Sequence, residues 1–393
     1  MNHNEVDVSQ LTFEQLKKVR TYLKKMIEIG GSDLHIKANS SIRARVDGDL
    51  VKFADSVLTK EEAITFAKEL LKGRFNELVE NKEVDLVYPF DENNRFRVNI
   101  FFQVDGVSAV FRVIPMLIPS FEDLKLPEVL RKFTQIERGL VLVTGITGSG
   151  KSTTLATMIG EINANKKKHI ITIEDPVEFV HKDNKCIINQ RSVGQDTLSF
   201  KNALRAALRE DPDIILVGEM RDVETINLAL HAADTGHLVF STLHTIDAKE
   251  TINRIIAQFP TEEQPRIRLS LASVIQGVVS QRLIKTVDGK RRAAMEILVK
   301  TPRIEKLIME NRDYELSDAI AEGRDHYKSQ TFDQNILDLF NEGIIAEEEA
   351  LTNATSASDL KLKISGLNSS KASSGSEAEN IQIDENDDVF ELK

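Results

Sequence analysis

The sequence predicts an α/β fold in two domains: a larger one around a mainly parallel sheet, preceded by a smaller α+β one. Three observations carry this. Short apolar segments at 139–144, 169–173, 213–218 and 237–243 alternate with helical stretches, the pattern of strands covered on both faces by crossover helices. The first of them runs straight into GITGSGKS, residues 145–152, a glycine-rich turn that opens a helix. Before residue 115, by contrast, Asp-Gly pairs split runs of β-branched and aromatic residues, the signal of tight antiparallel hairpins.

In chain order, Thr12 with Gln15 predicts a capping box opening a helix that stops at Gly30, and Thr59 with Glu62 a second that stops near Gly73. IRARVDGDLVKF and RFRVNIFFQVDGVSAVFRVIP each read as a hairpin. Pro115, Pro119 and Pro127 then mark a linker, set at 119–134, between a first domain at 1–118 and a second at 135–366. Residues 265–355 read as mostly helical, interrupted by a hairpin at KTVDGKRRAAMEI. From 367 to 393 the chain is Ser-rich and acidic with few large apolar residues, which predicts a disordered tail.

Composition narrows the function. The chain of 393 residues is 41% hydrophobic and 29% charged, the balance of a globular protein, and has no apolar run long enough to span a bilayer. MNHNEVDVSQ lacks the basic and apolar regions of a secretory signal, so the expected location is the cytosol. A lone cysteine, Cys186, excludes internal disulfides and cysteine-rich zinc sites. A net charge of −11 argues against nucleic acid as a partner and for proteins instead.

GITGSGKS carries the chemistry. Gly145, Gly148 and Gly150, with Ser149 between the last two, let backbone N–H groups face phosphate oxygens, and the following helix N-terminus adds partial positive charge. Lys151 reaches the β- and γ-phosphates, Ser152 holds Mg²⁺, and Thr153 follows in the same helical turn, so the expected ligands are ATP and Mg²⁺. DPDIILVGEMRD ends a strand in an acid, Glu219, placed to reach the metal or its waters. ITIEDPVEFVH runs a strand into Glu174, Asp175 and Glu178. Glu178 is the candidate general base, because a carboxylate in reach can orient the attacking water and take its proton. TGHLVFSTLHT places His244 at the phosphate end of the next strand, able to bond the γ-phosphate or Glu219, and His237 at the opposite end.

Together these four segments resemble the Walker A, Asp box, Walker B and His box of the secretion ATPases that drive type II secretion and type IV pili. Within that superfamily the chain is most similar to the pilus retraction ATPases of the PilT and PilU type, from SDLHI at 32–36 to SQTFDQNILDLF at 329–340. The resemblance implies a PAS-like N-terminal domain, a RecA-like ATPase domain and a homo-hexameric ring that retracts pili and drives twitching motility. It also implies a membrane platform protein as partner, association with the inner membrane at the pilus base, and a second retraction ATPase that an accessory member would depend on. His237 and His244 become the His-box pair, and Arg95, Arg97 and Arg112 the N-terminal arginines that approach the nucleotide. Two stretches depart from the retraction pattern. RIEKLIM has Glu305 and Met309 where arginines are expected, and AEEEALTNATSASDL is closer to the accessory member.

Overall fold

The computed structural model describes residues 11–46, 48–92, 94–114 and 117–373. Helix α1 (Glu14–Glu28) leads into β1 (Asp33–Lys37), β2 (Ser41–Val46) and β3 (Asp49–Val57). Helices α2 (Lys60–Leu71) and α3 (Phe75–Asn81) precede β4 (Glu83–Pro89), β5 (Arg95–Gln103) and β6 (Gly106–Ile114). Both expected hairpins form, within one antiparallel sheet of order β3-β2-β1-β6-β5-β4. Alternation along each strand sends Leu34, Ala44, Val98 and Phe111 into a core with Leu23 and Met26 of α1 and Phe66 of α2. The residues between them, including Asp33, His35, Arg45, Arg97 and Arg112, fall on the other face.

The box at Thr59 and Glu62 closes as expected. The one at Thr12 and Gln15 does not. Phe13 occupies the N-cap position of α1, and buried Glu69 of α2 accepts from Leu16 N at 2.7 Å and meets the Thr12 hydroxyl at 3.4 Å. A neighbouring helix thus supplies the acceptor that local sequence was expected to provide.

The second sheet has order β13-β12-β7-β11-β10-β8-β9, parallel throughout except for the last hairpin. Its strands are β7 (Gly139–Thr144), β8 (His169–Glu174), β9 (Ile187–Ser192), β10 (Ile214–Val217), β11 (Leu238–Leu243), β12 (Ile275–Lys285) and β13 (Arg291–Val299). Before the first of them lie α4 (Phe121–Leu124) and α5 (Val129–Gln135). Between later strands run α6 (Lys151–Asn165), α7 (Phe200–Ala207), α8 (Val223–Asp234), α9 (Ala248–Ala257) and α10 (Gln264–Val274).

Three expectations need correction. The segment set as a linker, 119–134, is core: Ser120 caps α4, and Phe121, Val129, Leu130 and Phe133 are buried in one cluster with Val141, Val143 and Val279. Residues 275–284, read as helical, belong to β12, because a β-branched run pairs with β7 and becomes buried on both faces. The final helix runs from Ala357 to Ser373, past the start of the expected tail, with Leu360 and Ile364 anchored beside Phe332 and Ile336. Residues 374–393 of that tail lie outside the described residues, as do 1–10.

Candidate functional site

Parallel pairing puts the chemistry on one edge. Thr144 pairs with Leu243, Ser241 with Val217, and Val217 with Ile173. The C-terminal ends of β7, β11, β10 and β8 therefore deliver Gly145, His244, Glu219 and Glu174 side by side, the edge at which open α/β sheets bind ligands.

The loop after β7 takes its shape from its glycines. Gly145, Gly148 and Gly150 have φ of +145°, +79° and +92°, and a Cβ on Gly145 would lie 2.4 Å from Gln281 O and 2.5 Å from Ser149 Oγ. Gln281 of β12 grips the loop from behind: its amide donates to Ser149 O at 2.7 Å, and its carbonyl accepts from Thr154 Oγ1 at 3.0 Å. Lys151 is buried and donates to Gly145 O at 2.8 Å and Ile146 O at 3.0 Å. Burial holds its pKa below the usual lysine range, while Glu219 and Glu178 oppose that shift, so both expected carboxylates act on this ammonium. Ser149 Oγ is buried without a hydrogen-bond partner among the described residues, an unmet donor inside the cradle.

Around the loop lie three cavities. Ser152 opens onto one of about 60 Å³ with Thr172, Glu174, Gly218 and Thr242. Glu219 and His244 line another of about 130 Å³ with Arg221 and Arg254. The largest, about 750 Å³, begins at Gly150, Thr153 and Thr154 and runs between Leu124, Leu283 and Arg292. Glu219 accepts from Arg221 Nε at 2.8 Å, and its Oε2 is 3.6 Å from His244 Nε2, too far for a hydrogen bond. Glu174 accepts from the Thr172 hydroxyl at 2.6 Å. Its pKa is pushed up to about 7, first by burial, against the bonds from Thr172 and Gln190.

The sequence-derived set does not converge entirely. His237 immediately precedes β11 at the far edge of the sheet, seven residues from His244 and so on the order of 20 Å away at about 3.3 Å per residue. Its ring Nδ1 lies 2.9 Å from Ala232 O, which ties α8 to the strand. Arg95, Arg97 and Arg112 stand on the polar face of the N-terminal sheet. Arg112 bonds Asp33, and Arg95 and Arg97 have no hydrogen-bond or ion-pair partner among the described residues. Gln281 was missed, since a glutamine in a strand carries no spacing signal.

Among the described residues no group of three or more His, Cys, Asp or Glu could hold a metal ion. A hydroxyl from Ser152 and a carboxylate from Glu219 beside a phosphate cradle suit Mg²⁺, which keeps several waters and binds substrate phosphates rather than an all-protein cage.

Residues 12–308 match the family described as type II/IV secretion system protein. The type IV pilus retraction ATPase PilT of Pseudomonas aeruginosa is 47% identical over 322 residues, covering 82% of this chain and 93% of that one. The type IV pilus ATPase PilU of the same organism is 41% identical over 348 residues, covering 87% and 90%. A crystal structure of the pilus retraction motor PilT with bound ADP superposes with a TM-score of 0.82 at 42% identity, covering 87% of this chain and 98% of that one. The N-terminal antiparallel domain, the phosphate loop and these similarities agree, and the chain belongs to the type II/IV secretion system ATPase family, alongside the pilus retraction ATPases.

Proposed function

We propose that this chain is an ATP-hydrolysing motor that retracts type IV pili and so powers twitching motility. The observation that supports it is the glycine-shaped loop at 145–152 between β7 and α6, with Lys151 buried against Gly145 O and Glu219 following the end of neighbouring β10. Lys151, now folded onto Gly145 O and Ile146 O, swings to the phosphates when ATP enters. Base and ribose fit the 750 Å³ cavity beside Thr153. Ser152 and Glu219 would hold Mg²⁺, which when bound would neutralise charge on the phosphates. Glu178 orients the attacking water and accepts its proton, and His244 reads the γ-phosphate state through Glu219. Arg95, Arg97 and Arg112 meet the phosphates when domains or neighbouring copies close, which links chemistry to movement.

The motor works as a homo-hexamer on a membrane platform protein, from the cytoplasmic side of the inner membrane. No described helix is long and apolar enough to cross a membrane. Lys151→Ala abolishes nucleotide binding or turnover, and Glu178→Gln keeps ATP binding while losing hydrolysis; normal turnover in either variant defeats that assignment. Deleting the gene leaves cells hyperpiliated and unable to twitch. Glu305 and Met309, in place of two arginines, favour a second reading as an accessory motor. That reading predicts weak ATPase activity alone and stimulation by a partner ring.

A further inference from the structure

On the polar face of the N-terminal sheet, strand register lines four ionisable groups in one row: Arg45 opposite Asp33, Asp33 opposite Arg112, and Arg112 opposite Arg97. Arg45 and Arg112 flank the one carboxylate, and Arg97 lies one strand beyond Arg112. Arg97 and Arg112 face each other as like charges, an arrangement that destabilises a sheet and that a purely structural surface would avoid. Asp33 is 3% exposed, yet fully engaged. It accepts from Ser32 Oγ at 2.7 Å and from Arg112 Nε at 2.7 Å, and Arg45 Nε stands 4.0 Å away. Burial alone would raise its pKa, but the bonds from Ser32 and Arg112 hold it below the usual carboxylate value, so it stays charged.

The geometry divides Arg112 in two. Its Nε is committed to Asp33, while the side chain as a whole remains 68% exposed. The two Nη groups are left on the outer edge of the guanidinium, a planar pair of donors matched to two oxygens of an anion. Arg97, without a partner of its own among the described residues, adds a second cation beside that edge.

We propose that Asp33 is a positioning residue: by fixing Arg112 through Nε it aims the Nη edge, with Arg97, at the phosphate oxygens of the nucleotide. This rests on the reading of the N-terminal arginines as partners of ATP. Asp33 touches no phosphate itself. Its removal leaves Arg112 charged but unaimed, and the loss falls on the transition state rather than on ground-state binding.

The test is steady-state ATPase kinetics on the full chain, with thermal unfolding of each nucleotide-free variant alongside. Asp33→Asn is expected to lower kcat about tenfold or more with KM for ATP little changed, and to have no further effect in an Arg112→Ala background. Arg112→Lys, which keeps the charge but lacks the fork, is expected to lose kcat as Arg112→Ala does. If Asp33→Asn fails to fold, Arg112→Lys decides, and wild-type kcat there overturns the proposal. Full kcat in Asp33→Asn, or an undiminished effect in the Arg112→Ala background, also overturns it while leaving the arginine reading intact. Full kcat in Arg112→Ala overturns that reading instead.

Discussion

Glu296 shows how one buried side chain writes a pH dependence into the protein. It is 7% exposed on β13, accepts from Ala248 N at 2.8 Å, and so anchors the first turn of α9, just beyond His244. Its pKa is pushed up to about 7, first by burial, with the Ala248 bond opposing and Asp247 adding to the rise. The native state therefore keeps a proton that the unfolded chain gives up near pH 4.5, and the stability this contributes is lost as pH rises from there through about 7. Glu174 acts in the same sense. His181 acts in the opposite one: burial pushes it down to about 4, and its contribution disappears as pH falls below 6.5. The clean observable is a difference. Glu296→Gln, which mimics the neutral carboxyl, is expected to gain on wild type by on the order of 2–3 kcal/mol between pH 5 and pH 8, measured by urea unfolding. A gap equal at both pH values would mean that the carboxyl is not held neutral.

At the scale of elements, β12 and α5 depend on each other. A Cβ on Gly277 would sit 2.2 Å from Cζ of the Phe133 ring, which is itself buried, so this strand accepts no side chain where α5 crosses it. Gly277→Ala is expected to cost about 1–3 kcal/mol or more through overpacking, read as a fall in melting temperature, and combining it with Phe133→Leu should cost less than the sum of the two. An unchanged melting temperature would show that the helix is free to move away. The consequence reaches the site, because β12 also carries Gln281, whose amide spans Ser149 and Thr154. The expected linker and the unrecognised strand are thus parts of one support behind the phosphate loop. Neither could be read locally, since the apolar residues of α5 and the branched residues of β12 acquire their meaning only by touching.

For the whole molecule, the N-terminal sheet and the ATPase sheet each hold a core of their own. The proposed ring predicts a particle six times the mass of the chain in light scattering with ATP bound, where a persistent monomer would remove the basis for contacts between copies. With a net charge of −11, the same particle is expected to retain no single-stranded DNA on filters even at low salt. The glycine-rich loop and four parallel strands were legible because each depends on short-range spacing. A glycine turn between strand and helix, or an acid at a strand end, is written in neighbouring residues.

The sequence by itself determined the local features: a glycine-rich turn at residues 145–152 between strand and helix, acids at strand ends, and an antiparallel domain ahead of them. Only the tertiary structure decided which groups meet. It brought Glu69 to cap α1, set Gln281 behind the loop and lined Asp33 between Arg45 and Arg112. The physical reason is that strand register and helix crossover join residues tens to more than a hundred positions apart, and no local periodicity records those pairings.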